Sequence, residues 1–287
     1  MKKIYSLILT ALTISVLTLI IFTGCKDGNI ESEDESALAA AVTKSTTEQP
    51  TTEPPTTEPT TTAPTSEPPP TYPEISPIKD FEYVVNDDGG ITITGYTGPG
   101  GDVVIPAEID GKSVTMIGEK AFYRCTSLTS IMIPDSVTHI ESLTFSGCTS
   151  LTSITIPKSV TMIGHGAFSF SSLTSITIPD SVTTIEYETF QHSRILHVTM
   201  TGVTHIGIDA FYGCFALKSV TIPNVTWIGQ GVFAQCELLE NVTIPDSLIW
   251  IGQGAFCNCH SIPEETRGTI NQISDGAFYY WSQSPQP

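Results

Sequence analysis

Basic residues are scarce in this sequence of 287 residues, which has 12 lysines and arginines against 30 aspartates and glutamates. Proteins that bind nucleic acid or dock on anionic lipid need a basic surface. The net charge of −18 therefore argues against both kinds of partner. The acidity continues into the C-terminal part, because residues 78–287 hold eight basic and twenty acidic residues.

Apolar residues are almost absent between Val42 and Pro77, where the chain reads "STTEQPTTEPPTTEPTTTAPTSEPPPTYPE" from Ser45 onward. A segment of this composition cannot bury a core. Proline and mutually repelling glutamates favour an extended stalk of about 3 Å per residue. We therefore predict that residues 25–77 are an acidic, then Thr/Pro/Glu-rich, disordered stalk, which separates residues 78–287 from whatever the N-terminus is attached to.

The N-terminus has the pattern of an export signal. Lys2 and Lys3 precede an apolar run that ends at the tetrapeptide FTGC, residues 22–25. This tetrapeptide resembles a bacterial lipobox, in which the cysteine is lipidated after cleavage. The prediction is a signal peptide over residues 1–24, lipidation at Cys25, and a protein that is exported and anchored at the outer cell surface. An uncleaved membrane anchor is the alternative, and it leaves the rest of the chain on the same side.

After Pro77 the sequence repeats itself at intervals of 21 to 23 residues. The repeat is marked by phenylalanines, at Phe122, Phe145, Phe168, Phe190, Phe211, Phe233, Phe256 and Phe278. A column of isoleucines keeps the same spacing, at Ile117, Ile140, Ile163, Ile185, Ile206, Ile228, Ile251 and Ile273. Such self-similarity is typical of stacked repeats, in which each unit completes the core of its neighbours.

One unit contains two short extended pieces and a tight turn. In the first piece, Leu128, Ile131 and Ile133 alternate with polar residues as in a half-buried strand, and Pro134 ends it. Residues 137–140 form the second piece, and the segment around Phe122 predicts one tight helical or 3-10 turn that returns to the next strand. The fold class predicted is a β-rich solenoid with short parallel strands.

The phrase SLTSITIPxSVTxIGxxAFxxC is similar to the consensus of the BspA-like leucine-rich repeat family over about residues 80–279. The lead-in that starts YVVNDDGGITITGY also resembles this family's N-terminal cap, here residues 78–111, followed by about eight repeats. The resemblance implies a right-handed leucine-rich repeat stack. It also implies a bacterial surface protein that binds host proteins or other cells, with no catalytic residues to carry over.

Cysteine also occupies a column, three residues after the repeat phenylalanine. Its members are Cys125, Cys148, Cys214, Cys236 and Cys259. Neighbouring coils lie about 4.8 Å apart, whereas the Cβ atoms of a disulfide lie about 3.8 Å apart. We expect a column of small buried thiols. Cys257, Cys259 and His260 are too few for a zinc site, so we expect neither a metal nor a cofactor.

No combination of residues predicts catalysis. The six histidines are scattered without a serine and an acid at the spacing of a triad. Acids that follow proline, such as Asp135 and Asp180, are explained by turn chemistry. The Gly-x-Gly pieces recur in phase with the repeat and indicate corners, because a phosphate loop needs a complete fingerprint. We expect a protein that is not an enzyme.

Two outward columns remain as candidate binding surfaces. The hydroxyl strip lies between the inward positions of the first piece: Ser130/Met132, Ser153/Thr155, Ser175/Thr177, His197/Thr199, Ser219/Thr221 and Asn241/Thr243. Threonine is also a favoured strand residue, so β-propensity and solubility alone can explain this strip. A regular threonine array also occurs in ice-binding solenoids, a use that a membrane tether does not favour.

The aromatic column precedes each isoleucine of the second piece: Met116, His139, Met162, Thr184, His205, Trp227, Trp250 and Gln272. Here we expect Trp227 to stack under Trp250 with His205 beside them. Contiguous exposed aromatic side chains mark binding sites, although packing of neighbouring rings along the solenoid explains them equally well.

The sequence thus predicts a non-enzymatic module, tethered to the cell surface, that binds proteins of other cells or of a matrix through the hydroxyl strip or the aromatic column. The alternative is a carbohydrate- or cell-wall-binding module, in which Trp227 and Trp250 form a platform for sugar rings.

Overall fold

The computed structural model describes residues 74–279. The predicted signal peptide, the lipidated Cys25 and the stalk lie outside the described residues, apart from the last residues of the stalk. Within the described range the chain winds into a solenoid whose coils each contribute a first side, a second side and a turn side. The predicted β-rich solenoid with short parallel strands is confirmed.

The first side carries one short strand per coil: β3 (Gly101–Val104), β6 (Leu128–Met132), β8 (Ser153–Thr155), β10 (Ser175–Ile178), β12 (His197–Met200), β14 (Ser219–Thr221) and β16 (Asn241–Val242). The second side carries β5 (Lys112–Ile117), β7 (His139–Ile140), β9 (Met162–Ile163), β11 (Thr184–Ile185), β13 (His205–Ile206), β15 (Trp227–Ile228) and β17 (Trp250–Ile251). The paired strands run parallel, so equivalent residues of successive coils lie side by side.

The N-terminal end is closed by hairpins. A short 3-10 helix (Ile78–Asp80) leads into β1 (Phe81–Val85), which pairs antiparallel with β2 (Ile91–Tyr96) across a turn at Gly89, where φ is 86°. β2 then pairs with β5, and β4 (Glu108–Ile109) folds back on β5 through an Asp-Gly turn. These strands lie in the lead-in that resembles the family's N-terminal cap.

The core is a ladder of aromatic rings that runs along the solenoid. The repeat phenylalanines from Phe122 to Phe256 are fully buried. Neighbouring centroids lie 5.0 to 5.5 Å apart with nearly parallel planes. Tyr96 continues the ladder into the cap, with its ring centroid 5.2 Å from that of Phe122. Buried aromatic and isoleucine columns supply the hydrophobic free energy that one coil alone cannot provide.

The turn side differs in detail from the predicted helical turn. Two positions per coil adopt left-handed backbone conformations, and several are not glycine, for example Leu143 with φ 58° and Phe170 with φ 56°. Amide N–H groups donate alternately to the next coil, as from Phe168 to Thr189 O at 2.8 Å, and to a residue three positions back. This alternation gives a third ladder between coils instead of a continuous 3-10 helix.

The C-terminal end changes from strand to helix. Helix α1 (Glu264–Ile273) buries Ile270. Arg267 lies over the ring of Phe278, 4.2 Å from its centroid, and donates to Cys259 O at 2.9 Å. Gln272 lies in this helix, so its assignment to the aromatic column was wrong. Within residues 74–279, no helix is both long and apolar enough to cross a membrane.

The cysteine column has a structural explanation. Cys148, Cys214, Cys236 and Cys259 are free and buried, and each thiol donates to the carbonyl oxygen of a phenylalanine one coil earlier, at 2.9 to 3.2 Å. Burial raises the pKa of Cys148, Cys214 and Cys259 to about 12. Cys125 occupies the same column and is also buried.

Candidate functional site

A surface groove of about 710 Å³ lies where the second side bends into the turn side. We call it the corner groove, and it is lined by Thr184, Ile185, Glu186, Tyr187, Glu188, His205, Gly207, Ile208 and Trp227. These residues come from three successive coils, at β11, β13 and β15 and the turns that follow β11 and β13.

The floor of the corner groove requires a residue without a side chain. A Cβ on Gly207 would lie 2.7 Å from Tyr187 N and 3.0 Å from Ile185 O, closer than real Cβ contacts. Gly207 N–H also donates to Ile185 O at 2.7 Å, which holds the two coils together at this corner. The close backbone approach leaves the space above Gly207 open between two walls of side chains.

One wall is part of the aromatic column. Parallel pairing sets Thr184 beside His205 and His205 beside Trp227. The ring centroids of His205 and Trp227 are 6.4 Å apart with planes inclined by 32°. Thr204 Oγ1 lies 2.9 Å from His205 Nδ1, a hydrogen bond that orients the imidazole.

The other wall consists of Tyr187 and Ile208, whose side chains are each 49% exposed. His165 stacks on Tyr187 with 3.9 Å between centroids, and its Nδ1 donates to Tyr187 O at 2.9 Å. The backbone is fixed as well, because Glu188 N–H donates to Ile208 O at 3.0 Å. This wall is therefore held in place before any ligand arrives.

The electrostatic character of the corner groove is negative. Glu186 and Glu188 both line it, and none of its nine lining residues is a lysine or an arginine. His165 Nε2 lies 3.6 Å from Glu188 Oε2, a long contact for an ion pair. Asp209 follows Ile208, and its pKa is raised, first by burial and then by the charge of Glu188.

A second cavity of about 350 Å³ lies on the turn side and has a polar lining. Its polar members are Gln191, Asp209, Tyr212, Gln230 and Gln253. Gln235 Nε2 donates to the hydroxyl of Tyr212 at 2.8 Å. Amide, carboxyl and hydroxyl groups of this kind form hydrogen bonds with polar ligands.

The structure brings only part of the predicted aromatic column into the corner groove. Trp227 and His205 line it, whereas Trp250, 54% exposed, belongs to the next coil and does not. The backbones of Trp227 and Trp250 pair in register. Among the ring contacts of residues 74–279, however, none joins these two indoles, so the expectation that their rings stack was wrong.

The hydroxyl strip lies along the first side as a regular array. Parallel pairing aligns Ser175 with His197 and Thr177 with Thr199, and the register continues to Ser219, Thr221 and Asn241. His197 Nδ1 lies 2.7 Å from Ser219 Oγ. Ser153 and Thr243 are also exposed, and Thr155 lines an apolar groove of about 500 Å³ with Met132 near the N-terminal cap.

Sequence reasoning missed five lining residues, namely Glu186, Tyr187, Glu188, Gly207 and Ile208. A signal was present, because the positions equivalent to Tyr187 and Ile208 are polar in other coils, at Ser142, Gln230 and Gln253. A bulky apolar residue at a position that is otherwise polar and outward marks a departure from the repeat.

The lining groups suit binding. The corner groove combines aromatic, aliphatic and carboxylate side chains on a rigid backbone, and open sites of this composition recognise ligands by shape and charge. In the part of the chain that the structure describes, no three His, Cys, Asp or Glu side chains are grouped so that they could hold a metal ion.

Comparison with known proteins identifies the repeat. The family described as BspA type leucine rich repeat region matches in six copies over residues 107–214 and 194–285. The solved T. pallidum leucine-rich repeat protein shares 33% identity with a TM-score of 0.67, and the match covers 70% of this chain and 96% of that one. A leucine-rich repeat protein from Bacteroides ovatus shares 29% identity with a TM-score of 0.54, over 65% of this chain and 57% of that one. No curated protein matches the chain.

Proposed function

This chain belongs to the BspA-type leucine-rich repeat family, and we propose that it is a surface-displayed, non-enzymatic module that binds a protein partner through the corner groove. Leucine-rich repeat proteins generally mediate protein interactions, and their fold is typically a scaffold without catalysis. The observation that carries the proposal is that the exposed Tyr187 and Ile208 and the half-buried Trp227 line one open groove.

The chemistry of the groove favours a protein partner. Binding hot spots are enriched in tryptophan and tyrosine, and contiguous exposed apolar side chains mark interaction surfaces. Ile208 adds an aliphatic contact that suits a side chain of a partner protein better than a polar sugar. The contacts of His165 and Glu188 fix this wall in advance, which lowers the entropy lost on binding.

The hydroxyl strip is proposed as an accessory contact surface. Its side chains are polar and nearly uncharged, which suits a wet, adaptable interface more than a hot spot. The proposal includes Ser153, Thr155, Ser175, Thr177, His197, Thr199, Ser219, Thr221, Asn241 and Thr243.

Display at the cell surface is part of the same proposal. The sequence of residues 1–77 supports export, lipidation at Cys25 and a long stalk that holds the solenoid away from the membrane. Mass spectrometry of the mature N-terminus tests this directly. A lipid-modified Cys25 as the first residue supports the proposal, and an N-terminus that still begins at Met1 contradicts the lipoprotein anchor.

The binding proposal is tested by capture of partners from a cell-surface protein preparation with the purified full chain in detergent. We expect a double Tyr187→Ala, Trp227→Ala variant to lose the partners that the wild type retains. A Thr177→Ala, Thr199→Ala variant tests the accessory surface of the hydroxyl strip in the same assay. If the groove variant still captures the partners and the strip variant does not, the main binding surface is the hydroxyl strip.

A carbohydrate-binding module is the second candidate. The polar cavity beside the corner groove favours it, because Gln191, Gln230 and Gln253 can form hydrogen bonds with sugar hydroxyls, while Trp227 and Trp250 offer ring faces. Titration of tryptophan fluorescence with cell-wall polysaccharides distinguishes the two candidates. Saturable quenching that disappears in a Trp227→Ala variant supports carbohydrate binding. No change in fluorescence with added polysaccharide supports the protein partner instead.

A further inference from the structure

We propose that the partner segment bound in the corner groove is cationic, and that a lysine or arginine side chain of the partner protein lies against Trp227 and Tyr187 with its charge at Glu186 and Glu188. The inference rests on the proposed function and specifies the chemistry of the partner. It follows from the shape, the rings and the charges of this one site.

The shape suits a long side chain. The groove of about 710 Å³ is open along its length and has Gly207 at its floor. Ile208, which is 49% exposed, supplies apolar surface on one wall. Lysine and arginine bury aliphatic stems on apolar surface while their charged ends remain near polar groups, so the site matches both parts of such a side chain.

The aromatic rings add an attraction for a cation. Ammonium and guanidinium groups are attracted to the faces of tryptophan and tyrosine within about 6 Å of the ring centroid. Trp227 and Tyr187 both line the groove, so a cation bound there lies near aromatic rings from two coils. His165 stacks on Tyr187 at 3.9 Å and keeps that ring in position.

The charges of the groove lack a strong counterpart in the protein. Glu186 and Glu188 line the groove, and the lining contains no lysine or arginine. The imidazole of His165 lies 3.6 Å from Glu188, too far for a strong charge-assisted hydrogen bond. Burial, and after it the charge of Glu188, raises the pKa of Asp209, so a second carboxyl group lies close to Glu188. A cationic partner relieves this repulsion.

The net charge of the whole repeat domain also favours a cationic partner. Residues 78–287 carry a net charge of −12, with eight basic and twenty acidic residues. An acidic domain attracts basic partners over distances beyond direct contact and repels acidic ones. This field by itself gives only general attraction, whereas the groove adds the position at which one side chain is bound.

The test uses the full chain in detergent and three labelled peptides that differ only in charge. The cationic probe is acetyl-GSKGRGKSG-amide, the neutral probe has glutamine at each basic position, and the acidic probe has glutamate there. We expect the cationic peptide to bind at least ten-fold more tightly than the neutral peptide and to change the fluorescence of Trp227. The acidic peptide should not bind.

Matched variants locate the binding. Glu186→Gln with Glu188→Gln should weaken binding of the cationic peptide at least ten-fold. The control, Glu237→Gln with Glu240→Gln, removes the same charge from exposed positions outside the groove and should leave binding within two-fold. Circular dichroism melting checks that both variants are folded.

Three results would overturn the inference: equal binding of the cationic and neutral peptides or no binding of either, an equal loss in the control variant, or displacement of the peptide by spermine at the same concentration. The last result would identify a site for small soluble cations. If Tyr187→Ala with Trp227→Ala abolishes partner capture while Glu186→Gln with Glu188→Gln does not, the proposed function stands. Only the cationic nature of the partner is then rejected.

Discussion

The hydroxyl strip and the corner groove are built on the same coils, yet one is a flat array and the other a concave site. The strip repeats Ser and Thr from coil to coil, and its register pairs like with like, as Thr177 with Thr199. The corner groove has Thr184, His205 and Trp227 at equivalent positions of successive coils. The inward columns of a solenoid must stay apolar to fill the core, so residue types vary mainly in the outward columns.

The difference has a geometric cause. Side chains of the strip stand on one face of a sheet, and a single face offers no opposing wall. The corner groove has two walls, because the chain bends at Gly207 between the second side and the turn side. A missing side chain at the bend therefore matters as much as the bulky side chains on either side of it.

The hydroxyl strip and the corner groove depend on the same core of stacked rings, and loss of one ring should have the largest effect. Phe190 is fully buried between Phe168 and Phe211, with ring centroids 5.4 and 5.0 Å away. We expect Phe190→Ala to lower the free energy of unfolding by about 3–5 kcal/mol through lost burial and a cavity. Denaturant unfolding followed by circular dichroism measures this loss.

The matched control for that prediction is Phe215→Ala, which removes a phenylalanine that is 50% exposed in the next coil. We expect it to cost less than about 1 kcal/mol. Equal losses for the two variants would show that the ring ladder does not dominate the stability of the solenoid.

A change at the bend should affect the groove and leave the strip intact. Gly207→Ala places a Cβ 2.7 Å from Tyr187 N and 2.9 Å from the carbonyl carbon of Glu186, so the backbone must shift. We expect a loss of about 1–3 kcal/mol in the free energy of unfolding. Gly268→Ala in helix α1, where no atom lies within 4 Å of the new Cβ, should instead stabilise by up to about 1 kcal/mol. Destabilisation by both would contradict the steric explanation.

The charge of the groove can be tested through the pH dependence of stability. The folded-state pKa of Asp209 is raised by burial and by Glu188, so ionised Asp209 destabilises the fold above that pKa. Asp209→Asn should therefore stabilise the protein at pH 7, by less than the effect at Gly207 because the carboxyl is only half-buried. The pH-dependent part of this gain should vanish below about pH 3, which is well under the unfolded-state pKa of about 3.9, so that the carboxyl is protonated in both states. The same substitution at the exposed Asp246 is the control, and a pH-independent difference would show that the ionisation of Asp209 does not cause the gain.

The smallest effect is expected on the hydroxyl strip. Thr177 is exposed, and valine has the same shape and an equally good β-propensity. We expect Thr177→Val to change the free energy of unfolding by no more than about 0.5 kcal/mol. A thermal melt checks this, and a larger shift would mean that the threonine hydroxyl stabilises the strip beyond its role as a strand former.

Much of the fold could be predicted because the inward positions recur in register. The spacing of Phe122 and its equivalents predicted the stacked repeats, and the alternation of Leu128, Ile131 and Ile133 predicted the strands of the first side. The left-handed turn positions could not be read in the same way. In some coils they are glycine, but in others they are residues such as Leu143 and Phe170 that carry no local signal for this conformation.

The candidate site was predicted only in part. Trp227 and His205 stood out because aromatic residues interrupted a column that is otherwise mixed. Tyr187 and Ile208 each lie two residues after the isoleucine that ends a second-side strand, and so outside the aromatic column. How closely they approach Trp227 depends on the angle of the bend. The end of the second side was also misjudged, because helix α1 replaces the last strand and removes Gln272 from the column.

The solenoid follows from the sequence alone, because a repeated set of apolar residues can be buried only by stacking each coil on the next. The sequence also determined which columns point outward. Only the tertiary structure decided which outward side chains share a cavity. That depends on how closely the backbones approach at Gly207, and such proximity between residues of different coils is a property of the stacked structure.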